Sequence, residues 1–112
     1  MSDDGVFATV SVVADTSDHQ VLIAVRGEID AATVDTLERA LNAIFSTDCT
    51  AVIVDLAEVS FIDWSGLKAL LIARRALSRH DIRLVVRNPQ PQARRLFEVA
   101  LGGEPLEDGP SA

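Results

Sequence analysis

The sequence predicts an α/β domain in which a mostly parallel four-stranded sheet with one antiparallel edge strand packs against three helices. Short β-branched runs alternate along the chain with segments of helical period, which is typical of right-handed strand–helix–strand crossovers. The first two strand-like runs are separated only by turn-forming residues, which predicts a hairpin. The chain has 112 residues, of which 48% are hydrophobic, and this is enough for one domain with its own core.

The predicted order of elements is β-β-α-β-α-β-α. The hairpin strands cover residues 6–13 and 21–25, with turn formers at residues 15–18 between them. Residues 51–56 and 82–86 are short, continuous apolar runs of the kind found in strands that are buried on both faces.

Each helix is predicted from its apolar period and its end signals. The first begins near Asp30, whose carboxylate can cap the free amides of the first turn, and the second opens at Ser65. The third starts at Pro89-Gln90-Pro91 and stops at Gly102-Gly103. The inward-facing residues are Val34, Leu37, Leu41 and Ile44 in the first helix, Leu67, Leu70, Leu71 and Leu77 in the second, and Leu96, Phe97 and Ala100 in the third.

These elements place the domain at residues 6–102. Residues 1–5 are expected to form a flexible N-terminus, and residues 103–112, rich in acids, glycine and proline, a disordered acidic tail. The single cysteine cannot form an internal disulfide. An acidic start and the lack of any run of about 18 apolar residues predict a soluble, cytoplasmic protein with no direct membrane insertion.

The net charge of −7 is the sum over regions of opposite charge. Residues 1–63 carry a net −10, residues 64–103 a net +6 and residues 104–112 a net −3. The acidic balance argues against nucleic-acid binding and against a polybasic membrane anchor, and it suits a partner protein with a basic surface. We expect the protein to be a monomer or a weak dimer.

The sequence holds little material for catalysis, so we predict that the protein is not an enzyme. His19 and His80 have no second metal ligand nearby and are expected at the surface, while Cys49 has no neighbouring histidine and is expected to be a half-buried small residue. Glycine-rich phosphate motifs are absent from the sequence, so no cofactor is expected. The turn at Ser65 resembles a hydrolase nucleophile elbow but has Asp63 where that motif requires glycine.

Polar side chains cluster at the two turns that follow the second and third strands. Because the carboxyl ends of parallel strands meet at one edge of a sheet, we expect the two turns to be neighbours and to form a partner-binding surface. This predicted surface, the docking edge, consists of Glu28, Asp30, Asp63, Trp64, Ser65 and Gly66. Helix capping accounts for Asp30 and Ser65 but not for the other charged and aromatic side chains. Trp64 lies on a helix-opening turn, where full burial is difficult, so partial exposure is expected.

Three stretches occur in order along the chain: Gly27-Glu28-Ile29-Asp30, residues 51–67, and Arg95-Leu96-Phe97 in the last helix. In these stretches the chain resembles the anti-sigma factor antagonists, whose fold is the STAS domain. The resemblance covers residues 6–102. It implies a protein that binds an anti-sigma factor, often a serine kinase, and so releases a sigma factor and regulates transcription by partner switching.

The resemblance also implies a phosphorylation switch, and here the sequence departs from the family pattern. The family's phosphoaccepting hydroxyl residue directly follows the aspartate, and this chain has Trp64 at that position. Ser65, one residue later, is the candidate phosphoacceptor, although a serine there also suits a purely structural helix cap.

Two other functions stay open at this point. A STAS subunit of a transport complex or signalling scaffold would need no phosphorylation, which fits the departure at Trp64. Binding of a small anion or a nucleotide at the helix N-termini rests only on general dipole chemistry.

Overall fold

A computed structural model describes residues 9–13 and 17–102 of the chain. The elements are β1 (Thr9–Val13), β2 (Gln20–Ile29), α1 (Val34–Ala43), β3 (Ala51–Ile62), α2 (Trp64–Ser78), β4 (Arg83–Arg87) and α3 (Pro91–Leu101). Short 3-10 segments, Ser17–His19 and Ile44–Ser46, precede β2 and follow α1. The predicted α/β class, with three helices and a parallel sheet, is confirmed.

The sheet has the strand order β1-β2-β3-β4. β3 pairs in parallel with both β2 and β4, and β1 pairs antiparallel with β2 at the edge. Because β3 pairs in parallel with β2, the turn that follows β3 lies beside the end of β2. The predictions for residues 1–8, 14–16 and 103–112, including the flexible N-terminus and the disordered tail, lie outside the described residues.

The core forms where the periods of strands and helices place apolar side chains on the inner faces. Alternate residues of β2, such as Val21, Ile23 and Val25, are buried, as expected for the period of a strand. The helical stripes are largely as predicted; Leu71 and Leu96 are half-buried, and so is Val34 at the start of α1. Ala100 was wrongly placed in the core: it is exposed, because Ala93 and Phe97 carry the buried stripe of α3.

Two strands continue well past their predicted ends. β2 extends to Ile29 and β3 to Ile62, since the polar residues in these continuations still allow backbone pairing. Beyond Asp55, however, β4 no longer pairs with β3. Side chains of α3 and of its N-cap take over: Gln90 Nε2 donates to the Ala57 carbonyl at 2.7 Å, and the Gln92 amide bonds both backbone groups of Ile62.

The length and polarity of the helices decide whether any of them could span a membrane. In the described part of the chain, none has the length and apolar character needed to cross a membrane.

Candidate functional site

The ends of β2 and β3 lie side by side at the carboxyl edge of the sheet. Ile29 and Ile62 are register partners, and the Asp63 amide donates a hydrogen bond to the Ile29 carbonyl at 3.0 Å. Asp30 and Asp63 directly follow this pair, so the two polar turns are neighbours, as the parallel strand order predicted.

A β-bulge precedes these strand ends. Gly27 pairs with Val59 whereas Glu28 pairs with Phe61, so Ser60 is an extra residue on β3. Gly27 has a φ of 98°, a conformation that favours glycine, and Ser60 Oγ donates to its carbonyl at 3.4 Å. Because bulges bend and twist a strand locally, this one sets the direction of the next pair, Glu28 and Phe61, whose side chains are exposed at the edge.

The turn after β2 is held by a threonine that the sequence analysis did not single out. Thr33, only 7% exposed, donates from Oγ1 to the Glu28 carbonyl at 2.8 Å and accepts the Asp30 amide at 2.9 Å. Asp30 Oδ1 in turn accepts the amides of Ala32 and Thr33 at 2.9 and 3.1 Å. The predicted helix start near Asp30 is therefore wrong: its carboxylate caps a separate turn, and α1 begins at Val34.

The turn after β3 is capped by Asp63. Its Oδ1 accepts the amides of Ser65 and Gly66 at 2.8 and 3.3 Å, and its extended backbone is that of an N-cap residue. The prediction that α2 opens at Ser65 and that Ser65 caps it is wrong, because the helix begins at Trp64 and a carboxylate already satisfies these amides. The half-buried Ser65 hydroxyl forms no hydrogen bond within the described part of the chain.

Gly66 supports the docking edge from beneath. A Cβ added to this residue would lie 2.6 Å from Ile62 Cγ1 and 2.7 Å from Ile29 Cγ2. The glycine thus allows the first turn of α2 to rest on the ends of β2 and β3. Gly66 itself is buried by this close packing, and its part in partner binding stays a prediction.

Two aromatic side chains are exposed at the docking edge. Trp64 is 54% exposed, which confirms the predicted partial exposure, and Phe61 is 42% exposed. Phe61 was not predicted, although a strand period of two places it on the face opposite the buried Ile62. Large aromatic groups bordered by polar ones are characteristic of protein–protein contacts.

The carboxylates of this edge differ in their availability. Glu28 is exposed and has no ion pair among the described residues, whereas the half-buried Asp30 and Asp63 are engaged with backbone amides. Glu28 is therefore the acid most available to a basic partner. The nearby acid Glu58, also exposed, is already paired with Arg26 at 2.7 Å.

The histidines and the cysteine considered for catalysis lie apart from this edge. His19 and His80 are exposed, as predicted; His19 Nδ1 lies 3.2 Å from the Asp48 carbonyl and His80 packs edge-on against Phe45. Cys49 is half-buried, as predicted, and accepts a hydrogen bond from Thr47. Within residues 9–13 and 17–102, no three His, Cys, Asp or Glu side chains are grouped so as to hold a metal ion.

A family model of the STAS domain matches residues 11–101, from β1 to the end of α3. The chain belongs to the STAS domain family. The match includes both turns of the docking edge, so the capped start of α2 and the bulged end of β3 are features of a STAS domain in this chain.

Sequence and structural relatives agree with this assignment. The anti-sigma-B factor antagonist of Staphylococcus aureus is 29% identical over 90 residues, which is 80% of this chain and 83% of the relative. An anti-sigma factor antagonist from Mycobacterium paratuberculosis has a solved structure that is 28% identical, with a TM-score of 0.72 and coverage of 88% of this chain and 82% of that one.

The anti-sigma factor antagonist SpoIIAA of Bacillus has been solved in two forms. The unphosphorylated form gives a TM-score of 0.73 and the phosphorylated form 0.67, both at 27% identity; they cover 85% and 82% of this chain and 83% of their own. The resemblance to the anti-sigma factor antagonists is thereby confirmed. These relatives are named for antagonism of another protein, a regulatory binding role rather than an enzymatic one.

Proposed function

We propose that this protein is a cytoplasmic anti-sigma factor antagonist that binds an anti-sigma factor through the docking edge and so releases the bound sigma factor. The observation that carries the proposal is the exposure of Trp64 at the capped start of α2, on a STAS fold whose relatives are named as such antagonists. Partly exposed tryptophan is among the residues that most often dominate binding energy at protein interfaces.

The structure of the edge supports a preorganised binding surface. Trp64 lies between the cap residue Asp63 and the two residues whose amides Asp63 accepts, so its backbone is fixed before any partner arrives. Thr33 fixes the neighbouring turn through the Glu28 carbonyl and the Asp30 amide. Because less conformational freedom is lost on association, such a surface binds with a smaller entropic cost.

The charge of the edge favours a partner with basic groups. Glu28, which is exposed and has no ion pair in the described part of the chain, would meet such groups directly, and the negative potential of Asp30 and Asp63 adds to its field. Complementary charge of this kind raises the rate of association and excludes wrong partners more than it raises affinity.

Ser65 is the proposed phosphoacceptor of this edge. Its hydroxyl belongs to the first turn of α2 and is not used by the helix cap. A phosphate there would add about −2 charge, and a helix N-terminus favours an anion. A partner surface packed against the bare hydroxyl would have no room for the phosphate and would have to bury its charge, so phosphorylation would switch binding off.

The proposed phosphorylation is tested by incubating the protein with the host's anti-sigma factor kinases and ATP, followed by intact mass measurement. We expect the mass of one phosphate on the wild type and on Ser60→Ala, which removes an exposed hydroxyl nearby, but none on Ser65→Ala. No phosphate from any kinase would mean that this antagonist is not switched at Ser65. Phosphate retained in Ser65→Ala would place the switch elsewhere.

The proposed partner is tested by capture from a lysate of the native host, with bound proteins identified by mass spectrometry. We expect an anti-sigma factor on the wild-type protein and a depleted amount on Trp64→Ala. Recovery of transporter subunits in place of any sigma-regulatory protein would overturn the proposal in favour of a transport-complex role.

A further inference from the structure

An open groove of about 940 Å³ lies between the second half of α2 and the end of α3. Its main lining side chains are the apolar Leu71, Ile72 and Leu101 and the basic Arg74, Arg75 and Arg79. α2 starts at the carboxyl edge of the sheet and runs back toward the start of β4. Its 15 residues span about 22 Å, so the groove lies toward the edge opposite Trp64.

The charged side chains that line this groove are all basic. Arg74, Arg75 and Arg79 are exposed and form no ion pair within the described residues, and the described residues that line the groove include no acid. Ile72 is 59% exposed beside them. The surface therefore suits a segment that carries several carboxylates and a single apolar side chain.

The sequence supplies such a segment where the groove begins. Leu101 lines the groove and is the last residue of α3, and Gly102, with a φ of 60°, ends the helix in the left-handed conformation. The residues that follow contain three acids, Glu104, Glu107 and Asp108, with Leu106 among them, and no basic residue. An extended chain covers roughly 3.3 Å per residue, so Leu106 is within reach of Ile72 and all three acids are within reach of the arginines.

We propose that residues 103–112 bind in this groove of their own chain. Leu106 packs beside Ile72 and Leu101, and the three carboxylates face Arg74, Arg75 and Arg79. Covalent attachment at Leu101 gives the segment a high effective concentration at the groove, so weak individual contacts suffice. Because the contacts are largely ionic and exposed, they weaken as salt is added.

The proposal is tested in the full chain by paramagnetic NMR. A nitroxide is placed at Ser111→Cys in a Cys49→Ala background, which leaves every acid and Leu106 intact. At low salt we expect loss of amide signal intensity along residues 71–79 and at Leu101, with residues 63–66 at the other end of α2 much less affected. The charge reversal Arg74→Glu/Arg75→Glu/Arg79→Glu should restore the lost intensity.

A matched variant distinguishes an effect of the groove arginines from an effect of the protein's net charge. Lys68→Glu/Arg87→Glu/Arg95→Glu makes the same change in charge at exposed positions that do not line the groove, and it should leave the signal loss in place. Uniform signal loss over the surface, no loss at the groove, or equal restoration by both variants would overturn the proposal. A second sample mixes isotope-labelled chains that carry no nitroxide with unlabelled chains that do. Signal loss at the groove in this mixture would instead assign the groove to a second copy.

Discussion

Oδ1 of Asp63 lies 2.8 Å from the backbone nitrogen of Ser65 and accepts its hydrogen bond. This contact fixes the first turn of α2 and the exposed Trp64 within it, and it leaves the serine hydroxyl free of a capping role. The stability of the docking edge and its proposed regulation therefore depend on the same aspartate.

Removing the cap should destabilise the fold. Asp63→Ala is expected to lower the free energy of unfolding by about 0.5–2 kcal/mol, because two helix amides lose their acceptor. Urea unfolding followed by circular dichroism measures this change. Asp63→Asn is the control, since asparagine is an equally good N-cap and should cost much less; equal losses in both variants would show that capping is not the cause.

The close approach of α2 to the strand ends makes Gly66 sensitive to a single methyl group. Gly66→Ala is expected to lower the free energy of unfolding by about 1–3 kcal/mol, because the new Cβ would overlap Ile62 and Ile29. Ser65→Ala, one residue earlier, should leave the free energy of unfolding nearly unchanged. A stable Gly66→Ala protein with an unaltered urea midpoint would contradict the packing described for this helix.

α3 supports the docking edge through the Gln92 amide, which accepts the Ile62 amide at 3.0 Å and donates to its carbonyl at 2.9 Å. Gln92→Ala should cost about 1–3 kcal/mol of unfolding free energy, because two partly buried backbone groups lose their partner. Arg95→Ala, at an exposed position on the same helix, should cost little. Matching urea midpoints for the two variants would rule out this role for Gln92.

Much of the fold could be predicted because apolar periods report which face of each element is buried. The Ile29–Ile62 pairing and the Ser60 bulge could not, since a period of two does not identify a strand's partner or reveal an inserted residue. The predicted helix starts at Asp30 and Ser65 were wrong, because neighbouring Asp, Ser and Thr residues can all cap a helix. Tertiary contacts decide among them, as Thr33 shows by bonding the strand end.

The proposed switch makes Ser65 a site where negative charge should prevent docking. Ser65→Glu is expected to weaken binding to the purified anti-sigma factor by at least tenfold, because its larger, charged side chain would have to be buried in the packed interface, whereas Ser65→Ala should bind as the wild type does. Isothermal titration calorimetry measures both affinities. Ser78→Glu places the same charge at the other end of α2 and should have little effect; an equal loss there would indicate a general charge effect instead of a local one.

Release of a sigma factor from its complex with the host's anti-sigma factor tests the central claim most directly. Fluorescently labelled sigma factor, held by the purified anti-sigma factor, is titrated with the wild-type protein, Trp64→Ala and Val99→Ala, the last removing a side chain that is 78% exposed on α3. We predict release by the wild type and by Val99→Ala, and a requirement for ~30-fold more Trp64→Ala, the loss expected for an interface hot spot. Failure of the wild type to release sigma factor, or equal potency of all three proteins, would contradict the account.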